Sequence, residues 1–104
     1  MLEFDARGQA LKLVKQVKPR MGSKGGYLNA RFQLDGEYDD AEKVIVSFGD
    51  QRGEGEMAFE LGPSNEHPVP DEIAALQTFS VWLTCRTVSG AVFQTNRVRI
   101  QQRR

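Results

Sequence analysis

Apolar and polar residues alternate with a period of two along most of this chain. The clearest run is Thr78-Phe79-Ser80-Val81-Trp82-Leu83-Thr84-Cys85-Arg86. Phe79, Val81, Leu83 and Cys85 fall on one side of an extended backbone, and Ser80, Trp82, Thr84 and Arg86 on the other. That pattern predicts a strand with one face in a core. Tyr27 to Leu34 repeats it, with Leu28, Ala30, Phe32 and Leu34 inward. Val44, Val46 and Phe48 are inward in the next run, with Ile45 and Ser47 outward. Met57, Phe59 and Leu61 are inward in the one after. Val92–Ile100 reads as a further strand, Leu11–Val17 as another, and Leu2–Phe4 as a short first one.

Turn chemistry separates these runs. Gly22-Ser23-Lys24-Gly25-Gly26, Leu34-Asp35-Gly36, the segment from Gly49 to Gly55, and Val88-Ser89-Gly90-Ala91 all supply residues that reverse a chain cheaply. Gly62–Pro70 departs from the pattern. Pro63, Pro68 and Pro70 each lack a backbone donor, so the segment is expected not to continue a ladder. Pro70–Leu76 then reads as one helical turn that crosses between sheets, with acids at its start and Ile73 and Leu76 toward the core. Six or seven short strands with such turns predict an antiparallel β-sandwich.

Length limits this to one domain: 104 residues, with a core over about 9–101 and a short tail at 102–104. A hydrophobic fraction of 39% and a charged fraction of 27% suit a folded chain. No apolar run reaches the roughly 20 residues of a membrane span, and the start does not read as a secretion signal. The formal net charge is zero, but the charges are segregated. Residues 1–35 hold seven Lys/Arg against three Asp/Glu, residues 36–75 two against eleven, and residues 76–104 five against none, giving nets of +4, −9 and +5. No whole-chain field draws nucleic acid, so it is not an expected partner. Separate acidic and basic surfaces would favour head-to-tail contacts with like molecules or a complementary partner; a sandwich that interleaves the segments would cancel the asymmetry.

Candidate chemistry is sparse. One histidine, His67, and one cysteine, Cys85, cannot build a conventional zinc site. His67 reads as loop decoration and Cys85 as core packing. Asp35, Glu37, Asp39 and Asp40 alternate as in calcium loops. The sixth and twelfth positions counted from Asp35 are Asp40 and Val46, so the EF-hand pattern fails. The glycine-rich segment 49–55 lacks the Gly-Lys-Ser/Thr ending of a phosphate loop. No nucleophile–base set emerges, and the expectation is a non-enzyme without cofactor or metal. Trp82 on the outward side suggests an interface or a sugar-stacking platform. It also admits a core position with Val81 outward, or cover from a long loop. A patch of Tyr27, Phe93 and Trp82 is conceivable. Arg97, Arg99, Arg103 and Arg104 alternate toward the end, a row that could grip carboxylates of a neighbouring subunit or phosphates, or form an ordinary charged sheet face. Trp82, Arg86, Arg97 and Arg99 are the residues expected to face a partner.

Two stretches carry a family resemblance. One is Tyr38-Asp39-Asp40-Ala41-Glu42-Lys43-Val44-Ile45-Val46-Ser47-Phe48. The other is Val69-Pro70-Asp71-Glu72-Ile73-Ala74-Ala75-Leu76, then Phe79-Ser80-Val81-Trp82-Leu83, then Thr95-Asn96-Arg97-Val98-Arg99-Ile100. In this order they resemble the immunoglobulin-like β-sandwich domains of tailed-phage and prophage structural proteins, found in baseplate, tail and head-fibre components. The resemblance covers roughly residues 27–101 and departs at Leu76-Gln77-Thr78, where the family often has glycine. It implies an immunoglobulin-like antiparallel sandwich of about seven strands. It implies a non-catalytic structural or interaction module, in the virion or in host cytoplasm before assembly. Expected partners are other virion proteins or copies of itself. Two other classes are carried forward: a carbohydrate-binding module that takes a surface glycan, and a small OB-type binder of single-stranded nucleic acid.

Overall fold

A computed structural model of the chain describes residues 1–16, 28–52 and 54–102. The expected loop at Gly22–Gly26, Val17, Tyr27, Gly53, Arg103 and Arg104 lie outside the described residues. Two sheets pack face to face. The first holds β1 (Leu2–Arg7), β2 (Ala10–Gln16), β3 (Asn29–Leu34) and β6 (Glu66–Pro68), in the order β2-β1-β3-β6. The second holds β4 (Ala41–Asp50), β5 (Met57–Glu60), β7 (Thr78–Thr87), β8 (Val92–Gln94) and β9 (Val98–Gln101). Its order is β5-β4-β7-β8, with β9 also on β7. The described residues thus form nine strands where about seven were expected, and the two-sheet sandwich stands.

The alternation explains the core. Leu2, Phe4, Ala6, Ala30 and Phe32 from the first sheet meet Val46, Phe48, Phe79, Val81, Leu83, Cys85 and Ile100 from the second, all nearly or fully buried. Phe4 and Phe32 stack with ring centroids 4.9 Å apart. Fully burying such side chains contributes about 1.5–3 kcal/mol each. Pairing between the ten-residue strands β4 and β7 forms the centre of the second sheet.

Three expectations are corrected. The sandwich is not wholly antiparallel, because β1 runs parallel to β3. The β1–β2 hairpin leaves the chain on one side of β1, and β3 lies on the other. β2 returns the chain to the end of β1 where it began, Leu2↔Gln16, and β3 starts at that same end, Leu2↔Ala30, so it runs parallel to β1. Second, the proline-rich segment does pair: Asn29↔Pro68, Ala30↔His67 and Arg31↔Glu66 join β3 to β6. Val69 N–H donates to Leu28 O at 2.7 Å and Phe32 N–H to Asn65 O at 2.9 Å. These flanking bonds place the backbone groups of residue 68 on the outer edge, where Pro68 needs no donor. Third, Val92–Ile100 is two strands with a break at Thr95-Asn96-Arg97.

The remaining connections follow their chemistry. α1 (Asp71–Ala74) is a single turn between β6 and β7, capped by Pro70, with Ile73 buried. Asp50 closes the β4–β5 hairpin by accepting from the N–H groups of Arg52 (2.8 Å) and Glu54 (2.9 Å). In the β1–β2 turn Gly8 has φ +55°, and an added Cβ there would collide with the Glu37 carboxylate. Asp35 accepts from Gly8 N–H and from Glu37 N–H, both at 3.2 Å, and so ties this turn to the 3-10 turn Gly36–Tyr38.

Candidate interaction face

β7 pairs with β8 at Thr84↔Gln94 and with β9 at Val81↔Val98. Between these pairs β7 has two residues, Trp82 and Leu83, and the facing chain has three, Thr95, Asn96 and Arg97. One residue is extra, so the chain must bulge. Thr95 makes the bulge tolerable. Its N–H donates to Leu83 O, and its Oγ1 accepts from Leu83 N–H, both at 2.9 Å. A hydroxyl therefore replaces a carbonyl in the ladder.

The freed backbone turns Asn96 toward the first sheet. Leu11 N–H donates to Asn96 Oδ1 (2.8 Å), Asn96 Nδ2 donates to Leu11 O (3.0 Å), and Asn96 N–H donates to Gln9 O (3.2 Å). The side-chain amide acts as a peptide unit would and staples β2 to the β8–β9 edge. Gln16 Nε2 adds a bond to Gln101 O at 3.1 Å. This flank of the sandwich is closed. On the other flank, between β5 and β6, the His67 ring stacks on Phe59 with centroids 4.4 Å apart. His67 is therefore a strand residue packed across the gap, not loop decoration. Its Nδ1 donates to Pro68 O at 2.7 Å. The signal was its spacing from buried Val69, two residues on.

The bulge also sets Arg97 on the outer face of the second sheet, where its guanidinium lies 4.5 Å from the Trp82 ring centroid. Trp82 is only 2% exposed. The expectation of a partner-facing indole is corrected: Trp82 does point away from the core, but Arg97 covers it and its register partner is the small, buried Ser47. A cation over an indole face is attractive, and more so when partly desolvated. Val81 stays inward at 0% exposure. Phe93 packs on the opposite side, edge-on to Tyr38 at 5.3 Å, so it shares no patch with Trp82. Arg86, Arg97 and Arg99 are exposed on or beside the same outer face. Arg86 lies 3.7 Å from Glu42, while no carboxylate among the described residues lies within 4.0 Å of Arg97 or Arg99. Val88 and Val92, 73% and 61% exposed, extend this surface at the β7–β8 hairpin.

Two ionisable side chains among the described residues are buried, Cys85 and Tyr38. Cys85 is fully buried, and desolvation pushes its thiol above the ordinary value of 9.0. Tyr38 is buried with its hydroxyl donating to Gly8 O at 2.6 Å. Burial first, then the charges of Cys85, Asp35 and Glu37, push its phenol far above 10.0. Among the described residues no three His, Cys, Asp or Glu side chains converge as a metal site, and no helix is long and apolar enough to cross a membrane. No family model, curated protein or solved structure matches the chain.

Proposed function

We propose that this chain is a non-catalytic structural and interaction module of a phage or prophage particle, serving attachment or display in its baseplate, tail or head fibres. The phage setting rests on the motif resemblance. The observation that supports an interaction role is the outer face of the second sheet. There Arg86, Arg97 and Arg99 stand exposed on a scaffold that buries the Cys85 thiol and the Tyr38 phenol. Arginine held over an aromatic ring is a favoured contact group, because its fork is already ordered before a partner arrives. Repetition in a particle would multiply weak contacts into firm attachment.

The covered indole weighs against a sugar platform, which needs an open aromatic face. The two-sheet arrangement weighs against an OB-type barrel. The test is mass spectrometry of purified particles after induction of the host's prophage. The chain is expected at a fixed ratio to the major structural proteins. Its absence from intact particles overturns the reading.

A further inference from the structure

We propose that copies of this chain associate head to tail, the Arg97–Arg99 edge of one entering the acidic groove of the next. The inference deepens the interaction reading and rests on it. It begins with the strand order of the second sheet, which sets β5 at one edge and β8 and β9 at the other. Arg97 and Arg99 stand at the second edge. Arg97 is pre-ordered on Trp82, and neither has a carboxylate partner among the described residues.

At the first edge, near the 3-10 turn, an open groove of about 450 Å³ runs between the sheets. Asp35, Asp39, Glu42 and Glu60 line it against one cation, Lys43. Its only ion pairs among the described residues are long and exposed: Lys43 to Glu60 at 4.0 Å and Arg86 to Glu42 at 3.7 Å. Exposed pairs of this kind contribute about 0–1 kcal/mol and leave the groove acidic.

The two surfaces cannot meet within one molecule. Along β7, four residues separate Trp82, where Arg97 lies, from Arg86, the register partner of Lys43 in the groove; that is about 13 Å at about 3.3 Å per residue, and charges farther apart than the ~8 Å screening length barely interact through water. A second copy presents to each edge the charge it lacks. The occupant follows from the chain's own segregation, with residues 36–75 at −9 and residues 76–104 at +5. The contact joins unlike surfaces, so it does not stop at a two-fold dimer. It propagates into a ring or a row.

The experiment is sedimentation velocity across a protein concentration series, at about 20 mM and about 500 mM salt, where screening lengths differ severalfold. The expected result is growth past the mass of a dimer at low salt and its loss at high salt. R99E, which leaves the Trp82 cover in place, should abolish growth. So should D39K/E60K. Mixing R97E/R99E with D39K/E60K should restore it, because each variant then offers the surface the other needs. Circular dichroism verifies that each variant is folded. If R97E/R99E is unfolded, R99E takes its place in the mixture, where its acidic groove and the basic edge of D39K/E60K are expected to give a one-to-one complex that neither variant forms alone. A monomer at every concentration, a dimer of the unaltered chain that grows no further, or growth indifferent to salt and charge exchange overturns the proposal. Those outcomes leave detection of the chain in particles as a separate result.

Discussion

Single side chains decide how the β8–β9 break is tolerated. Thr95 Oγ1 is the acceptor for a buried Leu83 N–H, so Thr95→Val keeps the shape and strands that donor. A loss of about 1–3 kcal/mol is expected, read as a lower urea midpoint with an unchanged slope. Thr95→Ser should retain most of the stability. Tyr38 and Cys85 make a separate prediction. Both have their folded pKa raised above the unfolded value, chiefly by burial. Their contribution is fully present below the unfolded values. It is lost as pH rises past about 9 for the thiol and about 10 for the phenol, because the unfolded chain releases the proton first. Urea unfolding at pH 8 and at pH 10.5 should show the fall. Tyr38→Phe should flatten the part of it that belongs to the phenol.

Among the elements, β7 is paired on both sides along most of its length, by β4 on one side and by β8 and β9 on the other. Its amides should be the slowest to exchange with deuterium. In β5, Leu61 N–H bonds to Val44 O at 2.8 Å, which fixes the parity of that ladder. Ala58 and Glu60 then turn their N–H groups to the open edge. Hydrogen exchange followed by NMR should find these two amides fast and Phe59 slower; equal protection would contradict the register. Much of this was legible in the sequence. Alternation alone places Phe79, Val81, Leu83 and Cys85 inward and marks the α1 crossover by its proline. It does not reveal the parallel β1–β3 pair, because period two is the same in either direction. Nor does it distinguish a covered Trp82 from an exposed one. That depends on where one extra residue falls in the facing strand, and on Thr95 replacing a carbonyl. Arg86, Arg97 and Arg99 lie on or beside one face as their spacing suggests, but Arg97 reaches it from the bulge rather than from a strand.

At the scale of the whole molecule, the segregated charges are partly interleaved by the fold. β1 and β2 place Glu3 opposite Lys15 and Asp5 opposite Lys12. Arg31 lies between Glu3, at 3.7 Å, and Glu66, at 3.5 Å. The first sheet thereby cancels much of its own charge. The second sheet retains its asymmetry, with Glu42 and Glu60 toward one flank and Arg97 and Arg99 toward the other.

The bond between Gln16 and Gln101 has a geometric corollary. Gln16 is the register partner of Leu2, so the first and last strands start and finish side by side. The turn at Thr87–Ala91 lies at the far end of β7 from Gln101, roughly 30 Å away at about 3.3 Å per residue. A polypeptide joined to both extremities would enter and leave at nearly one point. It would carry the sandwich as a side branch, with the Val88 hairpin as the outermost tip.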